Sequence, residues 1–345
     1  MNVNKLKKAL EKKDKYNLGM SPIPDWISTG NAALNNIISG DMRLGCPVSR
    51  STIIGGLQGS GKSFIVSNIA KNAQENGYFV VFIDTEYSVG EGFMEKIGVS
   101  MDEDKFMAVN ISIIEEVIEF VADLFKNTDK EDKIFLALDS LSNLQPEGDS
   151  KKFDDAKVAY GQGLREKMLK QLVNNINSRV GARNMAFVTT SHMYVAGSDT
   201  YGNPILKTNV GEGTLFLPSV GLELSKAPLK EGRDLVGINV KCKTFKTRYT
   251  QLGKKCEFAL PWDRGMDFLD GSLDVLEDAG VVLRNGGWLS YPDPETGEEI
   301  KFQKSTYHDH ADLLMEMYAN RKGRAEPEEK AEDDASIDMI NSSSE

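Results

Sequence analysis

The chain has 345 residues, 40% of them hydrophobic, enough for one large core with appendages or for two domains. Its longest apolar runs, such as "YFVVFI", fall far short of the roughly 18 residues a membrane helix needs. Residues 1–15 contain no secretory apolar segment, and three cysteines (Cys46, Cys242, Cys256) show no metal spacing. The expectation is therefore a cytoplasmic protein without a membrane partner. The net charge of −11 is unevenly spread: residues 325–345 carry eight acids and one lysine, and residues 1–15 six lysines and two acids. The body between is near balance, so a nucleic-acid ligand is not excluded.

In chain order, residues 1–30 combine a lysine-rich helical pattern with "NLGMSPIPDW", whose prolines favour extended chain. They read as an arm rather than a core element. Strand patterns follow at "STIIGG" (51–56), "YFVVFID" (78–84), "IFLALDS" (134–140) and "AFVTTS" (186–191). Helical patterns lie between them at "KSFIVSNIAKNAQENG", "IIEEVIEFVADLFKN" and "GLREKMLKQLVNNINSRV". In the last, Leu164, Met168, Leu172, Ile176 and Val180 recur at helical spacing. Alternation of this kind predicts an α/β fold with a mostly parallel sheet and helices on both faces. "VGLELSK", "GINVKCKTF" and "KCEFALPW" would extend the sheet as antiparallel strands. "SLDVLEDAGVVLRNGGWLSY" reads as a helix, a turn and a hairpin. The expected organisation is an arm (1–30), a core (31–270), a small C-terminal subdomain (271–322) and a disordered acidic tail (323–345).

The segment "GLQGSGKS", Gly56–Ser63, matches G-x-x-x-x-G-K-[ST] between a strand and a helix, the context a P-loop requires. Gly56, Gly59, Ser60 and Gly61 would curl backbone N–H groups around phosphate, with Phe64 in the first turn of the helix. Lys62 would reach the β- and γ-phosphates and Ser63 would offer its hydroxyl to Mg²⁺. ATP and Mg²⁺ are thus the expected ligands. Asp84 and Glu86 lie two residues apart on an extended chain at the ligand-binding edge. Glu86 is assigned to orienting or deprotonating the attacking water, the alternative being a helix cap; Asp84 is assigned a structural part. Asp139 ends the third strand as a Walker B carboxylate, holding Mg²⁺ through water and Ser63.

His192 should emerge at the same edge, where it would hydrogen-bond the γ-phosphate and signal to the segment behind it. The alternative is a satisfied strand-end histidine. That segment runs for about twenty residues rich in Gly, Asn, Ser and Thr, unusually long for a loop without a function. Lys246 and Arg248, beside Phe245 and Tyr249, read as a solvated strand face or as cations projecting into a neighbouring subunit.

The stretches "ISTGNAALNNIISG", "GLQGSGKS", "FIDTEYSVGEGFMEKIGV", "ALDSLSNL", "TTSHMY…GEGTLF" and "GVVLRNGGWLSY" together resemble the RecA family of DNA strand-exchange proteins over roughly residues 25–290. The nearest likeness is to the UvsX-type recombinases of large tailed bacteriophages. The resemblance implies a RecA-like P-loop ATPase core with Glu86 as catalytic glutamate and Phe93 stacking on adenine. It makes His192 the γ-phosphate sensor, and Lys246 and Arg248 the basic pair acting on the adjacent subunit's ATP. DNA-binding loops are implied near residues 147–163 and 193–212, the second disordered without DNA. There Asn203, Lys207, Thr208 and Asn209 would donate to phosphates, and Met193, Tyr194 and Ile205 would insert between bases. Gly90 departs from the aspartate of bacterial relatives, and their larger C-terminal domain is abbreviated here.

The activity so implied is that of a DNA-dependent ATPase and homologous recombinase. It would form helical filaments on single-stranded DNA, docked through the arm, and pair with duplex DNA, with a loading protein and a single-stranded-DNA-binding protein as further partners. The setting would be the host cytoplasm for a phage-encoded protein. Two alternatives share the P-loop: a hexameric helicase-type motor, and a recombinase paralogue acting as a loader.

Overall fold

The computed structural model describes residues 22–154, 162–198, 200, 202, 204–263 and 265–322. Most of the expected arm, the centre of the first DNA loop, Asn203 and the acidic tail lie outside them. The chain divides into two units, Met1–Ser272 and Leu273–Glu345.

The first unit opens with β1 (Trp26–Ile27), antiparallel to β2 (Cys46–Pro47). Between them α1 (Ala32–Ser39) starts at Asn31, whose side chain accepts the Leu34 N–H, and stops at Gly40 with φ 84°, a cap only glycine adopts without strain. Residues 22–30 are not wholly the arm expected. Ile27 and Thr29 are fully buried, and the Thr29 N–H and hydroxyl both donate to Asn35 Oδ1, at 2.8 and 2.7 Å. The β1–β2 pairing carries this stretch into the core.

The central sheet is built from β3 (Ser51–Gly56), β4 (Phe79–Asp84), β5 (Phe106–Asn110), β6 (Ile134–Asp139), β7 (Met185–Ser198), β8 (Pro204–Thr208), β9 (Val220–Glu231), β10 (Asp234–Lys246) and β11 (Lys255–Pro261). Its nine strands run in the order β11-β10-β9-β3-β7-β6-β4-β5, with β8 paired to β7 off this path. Strands from β9 through β5 are parallel to one another, and β10 and β11 continue antiparallel. This is the α/β fold expected. β5 carries no clear strand pattern in the sequence, because only Phe106 within it is buried and the edge position relaxes the apolar alternation.

Two-residue alternation splits the strand side chains between two cores. Ile54, Val80, Phe82, Phe135, Ala137 and Val188 face α1 and α2 (Lys62–Glu75), with α3 (Glu91–Ile97) contributing Met94. Ile53, Val81, Ile83, Leu136, Leu138 and Phe187 face α4 (Ile114–Lys126) and α6 (Gln162–Val180); the short α5 (Glu147–Asp154) precedes α6. Burying each of the larger of these side chains contributes roughly 1.5–3 kcal/mol. The buried row of α6 differs from the one expected: Leu164 is 57% exposed, whereas Leu169 and Val173 are buried beside Leu172, Ile176 and Val180. With 3.6 residues per turn, a strict four-residue repeat drifts about 40° per step, so it cannot stay on one face.

Where a disordered loop is expected after His192, the described residues form a strand pair. β7 runs on to Ser198 and pairs with β8, Tyr194 opposite Lys207 and Val195 opposite Leu206. A short helix, α7 (Glu212–Leu215), then leads to β9.

The second unit contains α8 (Leu273–Asp278), a three-stranded antiparallel sheet of β12 (Leu283–Asn285), β13 (Trp288–Pro292) and β14 (Glu299–Phe302), and α9 (Ala311–Lys322). The expected helix and hairpin are present, and Gly286 turns the hairpin at φ 62°. β14 and α9 add to them, and Leu276, Leu289, Tyr291, Phe302, Leu314 and Tyr318 are buried.

Candidate functional site

Strand register brings the candidate residues to one edge. Gly56 at the end of β3 lies opposite His192 of β7, and Asp84 of β4 lies opposite Asp139 of β6. Chain leaving these strands lines a cleft of about 980 Å³ that includes Gly59, Gly61, Lys62, Ser63, Phe64, Glu86, Phe93, Asp139 and His192.

The glycine-rich turn requires its glycines. Gly59 and Gly61 have φ of 68° and 91°, in the left-handed region that glycine enters without steric cost. A Cβ on Gly56 would lie 2.6 Å from Ser60 Oγ and 2.8 Å from the Leu224 carbonyl oxygen. Gly61 caps α2, whose first turn has no side-chain cap and no acidic residue. Its leading N–H groups therefore keep their affinity for an anion. Ser60 Oγ is buried without a partner among the described residues. Lys62 Nζ donates to the carbonyls of Gly56 and Leu57, each at 3.1 Å, and Lys226 Nζ donates to that of Gln58 at 3.0 Å. Burial lowers the Lys62 pKa, against the opposing charges of Asp139 and Glu86.

Asp139 is 3% exposed. Burial raises its pKa, opposed by hydrogen bonds from Ser63 and Thr190. The Ser63 hydroxyl and this carboxylate are thus adjacent, one on the phosphate loop and one on β6.

Asp84 and Glu86 do not share a strand face. β4 ends at Asp84, and the Asp84 carboxylate accepts the N–H groups of Glu86, Ser88 and Val89, each at 2.9 Å. That buried carboxylate folds the turn, the structural part expected of it. The turn delivers Glu86 to the cleft, where Oε1 lies 2.6 Å from His192 Nε2 and accepts the Ser140 hydroxyl at 2.9 Å. Burial works to raise the Glu86 pKa. The bonds from His192 and Ser140, with the charges of His192 and Lys62, outweigh it and hold the carboxyl below its usual range.

Phe93 is 38% exposed and meets Phe64 edge-on, ring centroids 6.2 Å apart. Gly90 caps α3 in extended conformation. The cleft also takes in residues not expected there, among them Lys226 and Trp262, the latter 65% exposed. Lys226 sits in an alternating strand where a lysine reads as solvated, and the only local signal for Trp262 was an aromatic directly after a strand.

Lys246 and Arg248 are not among the residues lining this cleft. The alternation expected to align them ends, because the β9–β10 register slips between Thr244 and Lys246 and β10 stops at Lys246. Lys246 Nζ donates to the Phe216 carbonyl, its pKa lowered by burial and by Arg248.

On the hairpin, Tyr194 is 51% and Ile205 44% exposed, and Lys207 and Asn209 are exposed as well. The Thr208 hydroxyl lies 2.8 Å from Ser191 Oγ, so it supports the hairpin root. Met193 corrects an expectation: it is 8% exposed and packs against Gly55, so it is not free to insert between bases. β-Strand alternation turns it inward when Tyr194 turns outward. Asn203 lies outside the described residues.

Known proteins resemble this chain in sequence. Protein RecA of Thermus aquaticus is 27% identical over 308 residues, covering 88% of this chain and 86% of that one. Protein RecA of Desulforapulum autotrophicum is 26% identical over 298 residues, 85% of this chain and 81% of that one. The RecA N-terminal domain family matches residues 2–267, which take in the P-loop, Glu86, Asp139, His192 and the hairpin, and the chain therefore belongs to the RecA family.

Proposed function

We propose that this RecA-type recombinase is a DNA-dependent ATPase of the UvsX kind, which assembles as a helical filament on single-stranded DNA and exchanges strands with homologous duplex. The observation that carries the reading is the contact of Glu86 with His192, at the point where β7 leaves the phosphate edge and becomes one strand of an exposed hairpin. One side chain suited to hydrolysis thereby touches another that continues into a DNA-facing element.

The residues fit a Mg²⁺–nucleotide. The uncapped start of α2, the glycine cradle and Lys62 suit phosphate, and the paired Ser63 hydroxyl and Asp139 carboxylate are hard oxygen donors. When bound, Mg²⁺ would neutralise charge on the phosphates. Lys62 turns from its loop carbonyls to phosphate oxygens, and Phe93 and Trp262 offer aromatic faces to a base. Glu86, kept ionised by Ser140 and His192, accepts a hydrogen bond from water and directs it in line. His192 then exchanges its carboxylate contact for a phosphate oxygen, shifting the root of the hairpin. Exposed Tyr194, Ile205 and Lys207 supply the stacking and charge that sequence-independent binding to single strands needs. Lys246 and Arg248, outside their own subunit's cleft, act on the neighbour's nucleotide.

ATP turnover measured with and without single-stranded DNA, alongside electron microscopy, tests the reading. Stimulated turnover and open helical filaments are expected, with Glu86→Gln binding both ligands but losing most turnover. Closed rings would favour the motor alternative, and turnover indifferent to DNA would favour a loader. Wild-type turnover in Glu86→Gln would remove Glu86 from the mechanism.

A further inference from the structure

Arg165, in the first turns of α6, makes contacts that neither nucleotide binding nor DNA binding requires. Its guanidinium donates to four backbone carbonyls in two separate parts of the chain. Nε reaches Leu144 at 2.7 Å, Nη2 reaches Ser142 at 2.6 Å and Leu141 at 3.3 Å, and Nη1 reaches Asn209 at 2.8 Å. The first three carbonyls belong to the turn directly after Asp139 and Ser140. The fourth directly follows β8, at the closing end of the hairpin. A partly buried cation held by carbonyls is costly unless its donors are satisfied, and the planar fork of arginine meets several acceptors at fixed angles as a lysine cannot.

The same turn is tied to the nucleotide side. The His192 backbone N–H donates to Ser142 Oγ at 2.7 Å, while the His192 ring contacts Glu86. Ser142 thus receives His192 on its side chain and Arg165 on its carbonyl. A second, polar cavity of about 540 Å³ lies along this line, with Glu86, Ser142, Asp149 and Arg165 in its wall. Beside the Ser191–Thr208 contact at the hairpin root, the phosphate edge reaches the hairpin through β7 into its first strand and through Ser142–Arg165 to the residue after its second.

We propose that Arg165 is a positioning residue that clamps the closing end of the hairpin to the Ser142 turn, so that both strands of the hairpin follow the state of His192. The proposal rests on the nucleotide-gated DNA binding put forward above. With the clamp, a shift at His192 moves the hairpin as a unit. Without it, the end of β8 follows β7 only through strand pairing and the Ser191–Thr208 contact, and Asn209 beyond it is free to stay behind.

The test uses the full chain as wild type, Arg165→Ala and Arg165→Lys; the lysine variant keeps charge and stem should the alanine variant fold poorly. Amide hydrogen exchange and affinity for an oligothymidine single strand are measured with ADP and with a non-hydrolysable ATP analogue. Both variants should bind nucleotide within about two-fold of wild type. Their nucleotide-dependent exchange at residues 205–209 should vanish, and the ratio of DNA affinities in the two nucleotide states should fall at least ~5-fold, the low end of typical couplings. A residue that merely stabilised the fold would speed exchange in α6 as well and leave the ratio intact. Wild-type ratios in both variants overturn the proposal. So does a salt slope of DNA binding reduced by about one, which marks a direct phosphate contact. If wild type itself shows no nucleotide effect, the gating reading fails. Arg165→Ala must then still speed exchange at 205–209 selectively over α6, or the clamp fails too.

Discussion

Replacing His192 with alanine removes one interaction and spares its neighbours. The ring nitrogen lies 2.6 Å from Glu86 Oε1, whereas the backbone N–H bond to Ser142 and the Ser140 bond to Glu86 do not involve the ring. A hydrogen bond to a charged group contributes about 1.5–3 kcal/mol. The two side chains are 29% and 27% exposed, so the lower end applies. About 1.5 kcal/mol corresponds to roughly ten-fold, which is the expected loss in the ratio of single-stranded-DNA affinities between an ATP-analogue state and an ADP state. Nucleotide affinity itself should stay within a few-fold, because Lys62, Ser63 and the backbone cradle are untouched. His192→Gln should retain part of the ratio, since an amide also donates to a phosphate oxygen. Fluorescence titration of labelled oligonucleotide in each nucleotide state reads the ratio directly. An alanine variant that discriminates the two nucleotides as wild type does would refute the sensor role.

Ser140→Ala removes one of the bonds that hold the Glu86 carboxyl below its usual range. The ionised form is lost as pH falls through the folded pKa, so the acid limb of kcat/KM should move to higher pH in the variant; an unmoved limb would detach Glu86 ionisation from turnover. Lys246→Ala/Arg248→Ala should bind nucleotide almost normally yet lack DNA-stimulated, concentration-dependent ATPase activity, and mixing it with Glu86→Gln subunits should restore some turnover where the two sites complement. In denaturant unfolding, Leu172→Ala should cost about 2–5 kcal/mol, whereas Leu164→Ala should stay within ~0.5 kcal/mol. Equal costs would contradict the buried face of α6.

The parts legible in the sequence were those with short-range rules. The P-loop and its flanking strand and helix follow from spacing alone, and buried strands such as Ile134–Asp139 announce themselves by continuous apolar runs. The inward turn of Met193 was readable in principle, since alternation from Tyr194 dictates it. The Gly- and Asn-rich composition of the stretch hides it, although "MYVA" and "PILKT" carry strand-forming residues. Other features depended on distant partners. Nothing local to "LELSK" directs Lys226 to the Gln58 carbonyl, and nothing near "GLREK" foretells that Arg165 meets Asn209.

The two lysines resting on the phosphate loop have a thermodynamic consequence. Lys62 and Lys226 already satisfy the carbonyls of Gly56, Leu57 and Gln58, so the loop holds its curvature before any anion arrives. Under the proposed function, nucleotide capture would be an exchange of acceptors, in which ammonium groups leave neutral carbonyl oxygens for anionic ones and the carbonyls turn to water. The driving force is the difference between a charge-assisted bond and an ordinary one rather than the creation of a bond from nothing. Such a cradle ranks its ligands by the negative charge they bring to the lysines, and a nucleoside without phosphate leaves it as it was.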